Sequence, residues 1–441
     1  MNGTLESVIA DGTAGGLEQD KSAVKNNISS VAAVTLGNAL EFYDFTIYSI
    51  FAAVIARQFF PLETPFGGLL LSVAVFGVGF LTRPLGGIVI GAYADRAGRK
   101  AAMTLTILLM AAGTGLLAII PPYASIGIAA PILVVVARLI QGFSAGGEMG
   151  PATTYLLERA PSHRRGLYTS WQSASQGIAF LIAGIIGFAL IEALPAESLE
   201  SWGWRLPFLL GILIAPVGMY IRNRLPETIE HEQAHSTTKA VLTDVLTEHR
   251  RTVVLAGLAI AGGAVTMYIS SYMTTYALTT LHLPAGVSML ATLVTGLTMA
   301  VMSLVGGWLS DRYGRKMVMI IPRVLLALAA YPAFMLITYQ QTGTALLLMV
   351  ALLVTLHSLN AGVMLGMIPE SFPRRVRSIG LSFSYAVAVT IFGGTAQFVV
   401  TWLISVTGSP MAPAWYLVVA NAVAVIAMLL MRETRHVSLD D

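Results

Sequence analysis

A short charged string occurs twice in this chain, and its repetition constrains the fold more than any other feature. Asp95-Arg96-Ala97-Gly98-Arg99-Lys100 returns as Asp311-Arg312-Tyr313-Gly314-Arg315-Lys316, about half of the 441-residue chain later. Each copy follows an apolar run ending in glycines, Gly86, Gly87 and Gly91 before the first and Gly306 and Gly307 before the second. Each leads into another apolar run. A dense charge cluster between two such runs is a turn at a membrane surface. Its return half a chain later predicts two similar helical bundles in tandem.

Composition supports a membrane as the solvent. The chain is 56% hydrophobic and 11% charged, against roughly 25% charged residues in soluble domains. That is too little charge to solvate a surface of this size. The pI near 9.0 is then a matter of topology rather than of a nucleic-acid partner. With no cysteine, disulfide and thiol chemistry are excluded. Residues 1–27 are polar and mildly acidic, lack the pattern of a signal peptide, and are expected to form a cytoplasmic tail.

A membrane helix needs about 20 largely apolar residues. Runs that meet this occur at about 30–57, 67–92, 101–121, 128–157, 167–193, 205–222, 252–279, 286–309, 317–338, 343–369, 379–406 and 412–431. The expected fold is an all-α membrane protein of twelve transmembrane helices in two six-helix bundles, residues 28–222 and 252–431. A polar, partly helical linker over 223–251 joins them, and residues 432–441 form a second tail. With both termini in the cytoplasm, only Arg57 and Arg205 of the 26 basic residues fall on the far side, while Arg83, Arg138 and Arg323 lie within segments. The reverse orientation would invert the bias of basic residues towards the cytoplasm. The expected location is the inner membrane.

Charge inside a span costs about 2.5–3.5 kcal/mol even on insertion scales, so the embedded set marks function. It comprises Glu41, Asp44, Arg83, Arg138 and Glu148, with His357 in the second half. Arg323 sits close enough to a segment end to snorkel. Gly37, Glu41, Asp44 and Tyr48 share one helical face, as do Arg138, Gln141, Ala145 and Glu148. Thr169, Gln172, Gln176 and Ala179 form a third stripe, and Tyr268, Tyr272, Thr275 and Thr279 a fourth. These faces are expected to line a shared cavity. The plainer reading is interhelical hydrogen bonding, to which Gln, Thr and Tyr are suited, and for Arg83 or Arg138 simple neutralisation of an embedded acid.

Gly142-Phe143-Ser144-Ala145-Gly146 matches the nucleophile elbow of hydrolases, but that elbow needs a strand-to-helix turn. Inside an apolar helix, small residues instead permit close packing. No phosphate-binding loop and no metal-ligand spacing occur, so neither an enzyme nor a cofactor is indicated. Two further basic turns, from Arg159 to Gly166 and from Pro369 to Arg377, carry Glu158 and Glu370 at their edges. Their plainer role is to set topology, and the sharper expectation is an ion-pair network that latches the halves shut on the cytoplasmic side; Asp95, Arg96, Arg99, Asp311, Arg312 and Arg315 of the repeated loops are expected to act on conformational switching.

The paired Gly-x3-Asp-Arg-x-Gly-Arg-Lys loops, the twelve segments and the central linker resemble the major facilitator superfamily. Gly37-Asn38-Ala39-Leu40-Glu41-Phe42-Tyr43-Asp44-Phe45, Arg83-Pro84-Leu85-Gly86-Gly87, the stretch from Arg138 to Glu148 and Leu225-Pro226-Glu227-Thr228 are similar to its metabolite:proton symporters. Tyr168-Thr169-Ser170-Trp171-Gln172-Ser173-Ala174-Ser175-Gln176 is most like the citrate–proton symporters. The stretch from Tyr268 to Leu281 lacks the lysine of 2-oxoglutarate carriers. The resemblance implies import of a small organic anion with protons, by alternating access in a monomer. Arg138 and Arg83 would supply charge to that anion, with Asn38, Gln172, Gln176, Tyr268, Tyr272 and Asn360 as hydrogen-bonding partners. Glu41, Asp44 and Glu148 are the candidate proton carriers. A zwitterion such as proline or betaine is the alternative cargo, and drug efflux a more distant one.

Overall fold

The computed structural model describes residues 31, 34–60, 65–97, 99–223 and 238–437. Tail residues 1–27 and 438–441, and 224–237 of the linker, lie outside that set. Every regular element among the described residues is a helix. In the first half these are α1 (Val34–Ile50), α2 (Ala52–Phe59), α3 (Pro65–Leu81), α4 (Arg83–Ala97), α5 (Arg99–Ile119), α6 (Ala129–Gly146), α7 (Met149–Arg159), α8 (Arg165–Ala193) and α9 (Leu206–Asn223). After the linker helix α10 (Thr238–Thr247) come α11 (Arg250–Thr279), α12 (Ala285–Tyr313), α13 (Arg315–Gln340), α14 (Gly343–Glu370), α15 (Arg377–Ala388), α16 (Gly394–Thr407) and α17 (Ala412–Leu430).

Nine of these helices or helix pairs are long and apolar enough to cross a membrane; α1 and α2, bent by 65°, form a tenth span, and shorter apolar stretches at Thr104–Ile119 and Gly203–Leu213 complete the twelve. The breaks have local causes. Pro84 stands just inside α4 and has no N–H to continue the ladder from α3. Gly147 and Glu148 interrupt α6 and α7, and a π turn at Val389–Gly393 joins α15 to α16. Outward-facing Leu213, Leu328 and Val406 are about two-thirds exposed. Such a surface suits hydrocarbon rather than water.

The two halves repeat the same packing in detail. A Cβ on Gly86 would lie 1.8 Å from the Phe143 carbonyl oxygen, and one on Gly306 would lie 2.3 Å from that of Leu359. Gly146 sits equally tight on Arg83, as Gly362 does on Ser303. Gly142 and Gly146 are therefore contact points for the backbone of α3 and α4, which accounts for the hydrolase-like string. The halves meet along two seams, α8 against α12 and α3 against α16.

Candidate functional site

Two guanidinium groups sit at the centre of the molecule. Arg83 at the start of α4 and Arg138 on α6 are 3% and 0% exposed. Aromatic faces surround them. The Arg138 guanidinium carbon lies 4.4 Å from the Tyr48 ring centre, 4.8 Å from Phe45 and 5.1 Å from Phe76. That of Arg83 lies 4.2 Å from Phe80 and 4.8 Å from the same Phe45. A desolvated cation over an aromatic face gains about 2 kcal/mol, which offsets part of its burial.

The arginines differ in their other partners. Arg83 lies 3.5 Å from the Glu41 carboxylate, too long for a hydrogen bond. Arg138 has no carboxylate in ion-pair range among the described residues, and donates from Nη1 to Gln141 Oε1 at 2.7 Å. The Nε and Nη2 groups of both arginines are buried without a hydrogen-bond partner among the described residues. Tyr268 stacks edge-on against Phe76 and Phe80, and its hydroxyl is likewise without a partner. Buried donors left in this state are rare, and five of them lie on these three side chains.

The three embedded acids gather beside this centre, with Glu41 next to Arg83. Glu41, Asp44 and Glu148 line one cavity of about 30 Å³, together with Thr106, Ser144 and Gly211. That volume holds a water molecule. Asp44 Oδ2 accepts from Thr114, while Oδ1 has no partner among the described residues.

The remaining predicted residues divide between α-helical contacts and seams. Asn38 donates to Ser175 Oγ at 2.6 Å and accepts from Gln172 Nε2 at 3.0 Å, so the two tie α1 to α8. Gln176 is buried one turn further along α8. Tyr272 accepts from Thr401 Oγ1 at 2.8 Å. Asn360 is not brought to the centre: it binds Arg323 through Oδ1 and donates to the Met319 carbonyl at 2.6 Å. Arg323 itself overturns the expectation of snorkelling. It is fully buried and donates to Asn421 Oδ1 at 2.8 Å, because α13 starts at Arg315 and Arg323 lies two turns inside it.

At the second charged loop a helix cap crosses between the halves, braced by ion pairs, as a latch would need. Asp311 accepts from the backbone N–H groups of Gly166 and Leu167, at 2.8 and 2.9 Å, and so caps α8 of the opposite half. Arg315 bridges Asp311 at 2.7 Å and Glu370 at 3.3 Å. Arg312 turns outward over Trp308 and Tyr313 and does not join. Glu158 stands 4.0 Å from Arg377. The side chains of Asp95, Arg96 and Arg99 lie outside the described residues. At the other end, Ser49 on α1 donates to the Ser271 carbonyl and accepts from Gln397 on α16. Contacts between the halves are thus present at both ends among the described residues.

Two latch members were missed. Glu433, past α17, accepts from the N–H groups of Arg315, Lys316, Thr434 and Arg435, and Thr434 donates to Glu370 at 2.6 Å. The one signal in the chain is that Arg432-Glu433-Thr434 echoes Pro226-Glu227-Thr228. Burial acts to raise the Glu433 pKa, but the four N–H groups outweigh it and hold the carboxyl below its ordinary value. Its contribution is therefore present above the ordinary glutamate range and lost as pH falls through the depressed folded value. Glu433→Gln is expected to cost about 0.3–1 kcal/mol at neutral pH, given its partial exposure. Melting curves of wild type and variant should converge in acid; a constant difference would contradict the assignment.

Comparison with known proteins follows the same lines. The family described as Major Facilitator Superfamily matches residues 34–384 and 281–440. A citrate-proton symporter of Klebsiella pneumoniae is 38% identical over 404 residues, 91% of this chain and 90% of the relative. A glycine betaine/proline/ectoine/pipecolic acid transporter of Dickeya dadantii is 33% identical over 422 residues, 92% of this chain and 83% of the relative. Among solved structures, the proton:xylose symporter XylE bound to 6-bromo-6-deoxy-D-glucose gives a TM-score of 0.77 at 18% identity, covering 95% of this chain and 98% of that one. A partially occluded inward-open form of XylE, from E. coli, gives 0.71 at 18% identity over 94% and 100%.

Proposed function

The chain belongs to the major facilitator superfamily, and from that premise we propose that it imports a di- or tricarboxylate, citrate first among them, together with protons. The observation that carries this reading is the pair of central arginines: Arg138 is compensated by aromatic faces and Gln141, and Arg83 by aromatic faces and the Glu41 carboxylate 3.5 Å away, while both keep unused N–H groups among the described residues. A site that holds two cations with unused N–H donors is prepared for an anion. Arginine suits the task because its planar fork meets a carboxylate bidentately. Tyr268 adds a donor on the second half, so a bound anion would touch both bundles and favour their closure. Gln172, Gln176 and Tyr272 would act around this centre, with Asn38 holding Gln172 in position.

The charge of the cargo is the reason for coupling. Several carboxylates entering a low-dielectric centre need compensation beyond two arginines, and protons on Glu41, Asp44 or Glu148 would supply it. Relatives named for betaine support a zwitterion as the second reading. A quaternary ammonium would seek aromatic faces, yet the rings of Phe45, Tyr48, Phe76 and Phe80 are already occupied by arginine. We further infer a monomer in the inner membrane, with both termini in the cytoplasm.

Counterflow and gradient-driven uptake in liposomes test the reading. Citrate uptake should rise with an inward proton gradient and collapse with a protonophore. Uptake that ignores both and follows sodium would refute proton coupling, and counterflow by betaine alone would replace the cargo.

A further inference from the structure

We propose that Thr114 and Gln141 are positioning residues that carry the protonation state of Asp44 to Arg138. The inference rests on the proton-coupled reading and names the connection that reading lacks.

Glu41 lies 3.5 Å from Arg83, so that pair couples directly, whereas Arg138 has no carboxylate within ion-pair range among the described residues and is reached through hydrogen bonds. Asp44 stands at their far end. Thr114 on α5 donates its hydroxyl proton to Asp44 Oδ2. The same hydroxyl oxygen accepts from Gln141 Nε2 at 2.9 Å, and Gln141 Oε1 accepts from Arg138 Nη1 at 2.7 Å. All four side chains are buried, none more than 4% exposed. Every donor in the chain points towards Asp44, so the chain has a single polarity. An ionised Asp44 strengthens each bond in turn, because hydrogen bonds in series polarise one another. A proton on Asp44 removes the charge that anchors the series. Arg138 is then held more weakly by Gln141 and is more available to a carboxylate of the cargo. Proton and anion thereby favour each other's binding, which symport requires.

The other groups around Asp44 leave this path distinct. Glu41 and Tyr43 adjoin it on α1, Glu148 lines the same cavity, and Arg138 acts on it through space. The helices α5 and α9 face it with Thr114 and Gly211, which do not titrate. Thr114 and Gln141 are the links that a substitution can cut without altering charge.

The experiment is a double-mutant cycle, read by titration calorimetry of citrate against the purified full-length chain. Citrate's own ionisation is common to all variants and cancels. Asp44→Asn stands in for the protonated carboxyl and is expected to tighten citrate binding roughly tenfold in the wild-type background. On the Thr114→Val background the same change should shift binding by less than about twofold. Thr114→Ser, which keeps the hydroxyl, should restore the tenfold response, which a merely structural role would not predict. If Thr114→Val does not fold, Gln141→Met cuts the same chain on its far side. An undiminished response to Asp44→Asn in Thr114→Val overturns the relay, as does no response in wild type that binds citrate. A wild type that binds no citrate overturns the proposed function, and the relay with it.

Discussion

Arg138→Gln is expected to weaken citrate binding by tens- to thousands-fold. Loss of one partner from a buried, hydrogen-bonded charge pair costs about 2–5 kcal/mol, and Arg138 is fully buried with two guanidinium nitrogens unused. Arg138→Lys should recover little, since an ammonium cannot reproduce the fork, nor spread over the rings of Phe45, Tyr48 and Phe76. The competing view is that Arg138 serves only to neutralise an acid. Its surroundings speak against that, because Gln141 and aromatic faces stand where a carboxylate would be needed. Calorimetry with citrate, 2-oxoglutarate and betaine against wild type and both variants decides the matter. Citrate binding of wild-type strength in Arg138→Gln would remove Arg138 from the site.

What could be read from the sequence follows from where a charge is expensive. Glu41, Asp44, Arg83, Arg138 and Glu148 stand out in apolar runs, and helical phase puts them on inward faces. The structure brings all five to the same part of the first half. Thr114 had no such signal: a hydroxyl in a span is cheap, and its value comes from a carboxylate on one neighbouring helix and an amide on another. Phase also gives a direction but not a partner. Asn360 does face inward, yet Arg323 on α13 claims its carbonyl oxygen before the centre can. Arg323 was misjudged because hydropathy locates apolar runs and not helix ends. The backbone ladder of α13 runs on to Arg315 through residues too polar to count. Glu433 was invisible for a related reason, since its role depends on the tail folding back onto the loop at Gly314, where a positive φ of 101° favours glycine.

Gly296→Val is expected to slow transport by roughly 5- to 150-fold or more while leaving a folded protein. Along the seam between α8 and α12 the two backbones touch directly. A Cβ on Gly296 would lie 2.2 Å from the Leu181 nitrogen, and one on Gly177 would lie 2.3 Å from the Ala300 nitrogen. Neither contact ends on a flexible side chain that could swing aside. A valine at 296 must therefore part the halves at this level, and overpacking of this kind costs about 1–3 kcal/mol. The strain falls on the closed arrangement and is relieved wherever the seam opens, so the closed form is depopulated by roughly 5- to 150-fold. Alternating access passes through the closed form on every cycle, so the turnover rate should fall by the same factor or more. Gly257 on α11 is the control: nothing lies within 4 Å of its would-be Cβ, and Gly257→Ala should transport as wild type does. Initial rates of citrate uptake, normalised to folded protein in the membrane, give the measurement. A Gly296→Val variant that turns over at the wild-type rate would mean that the closed seam is not an obligatory stage of transport.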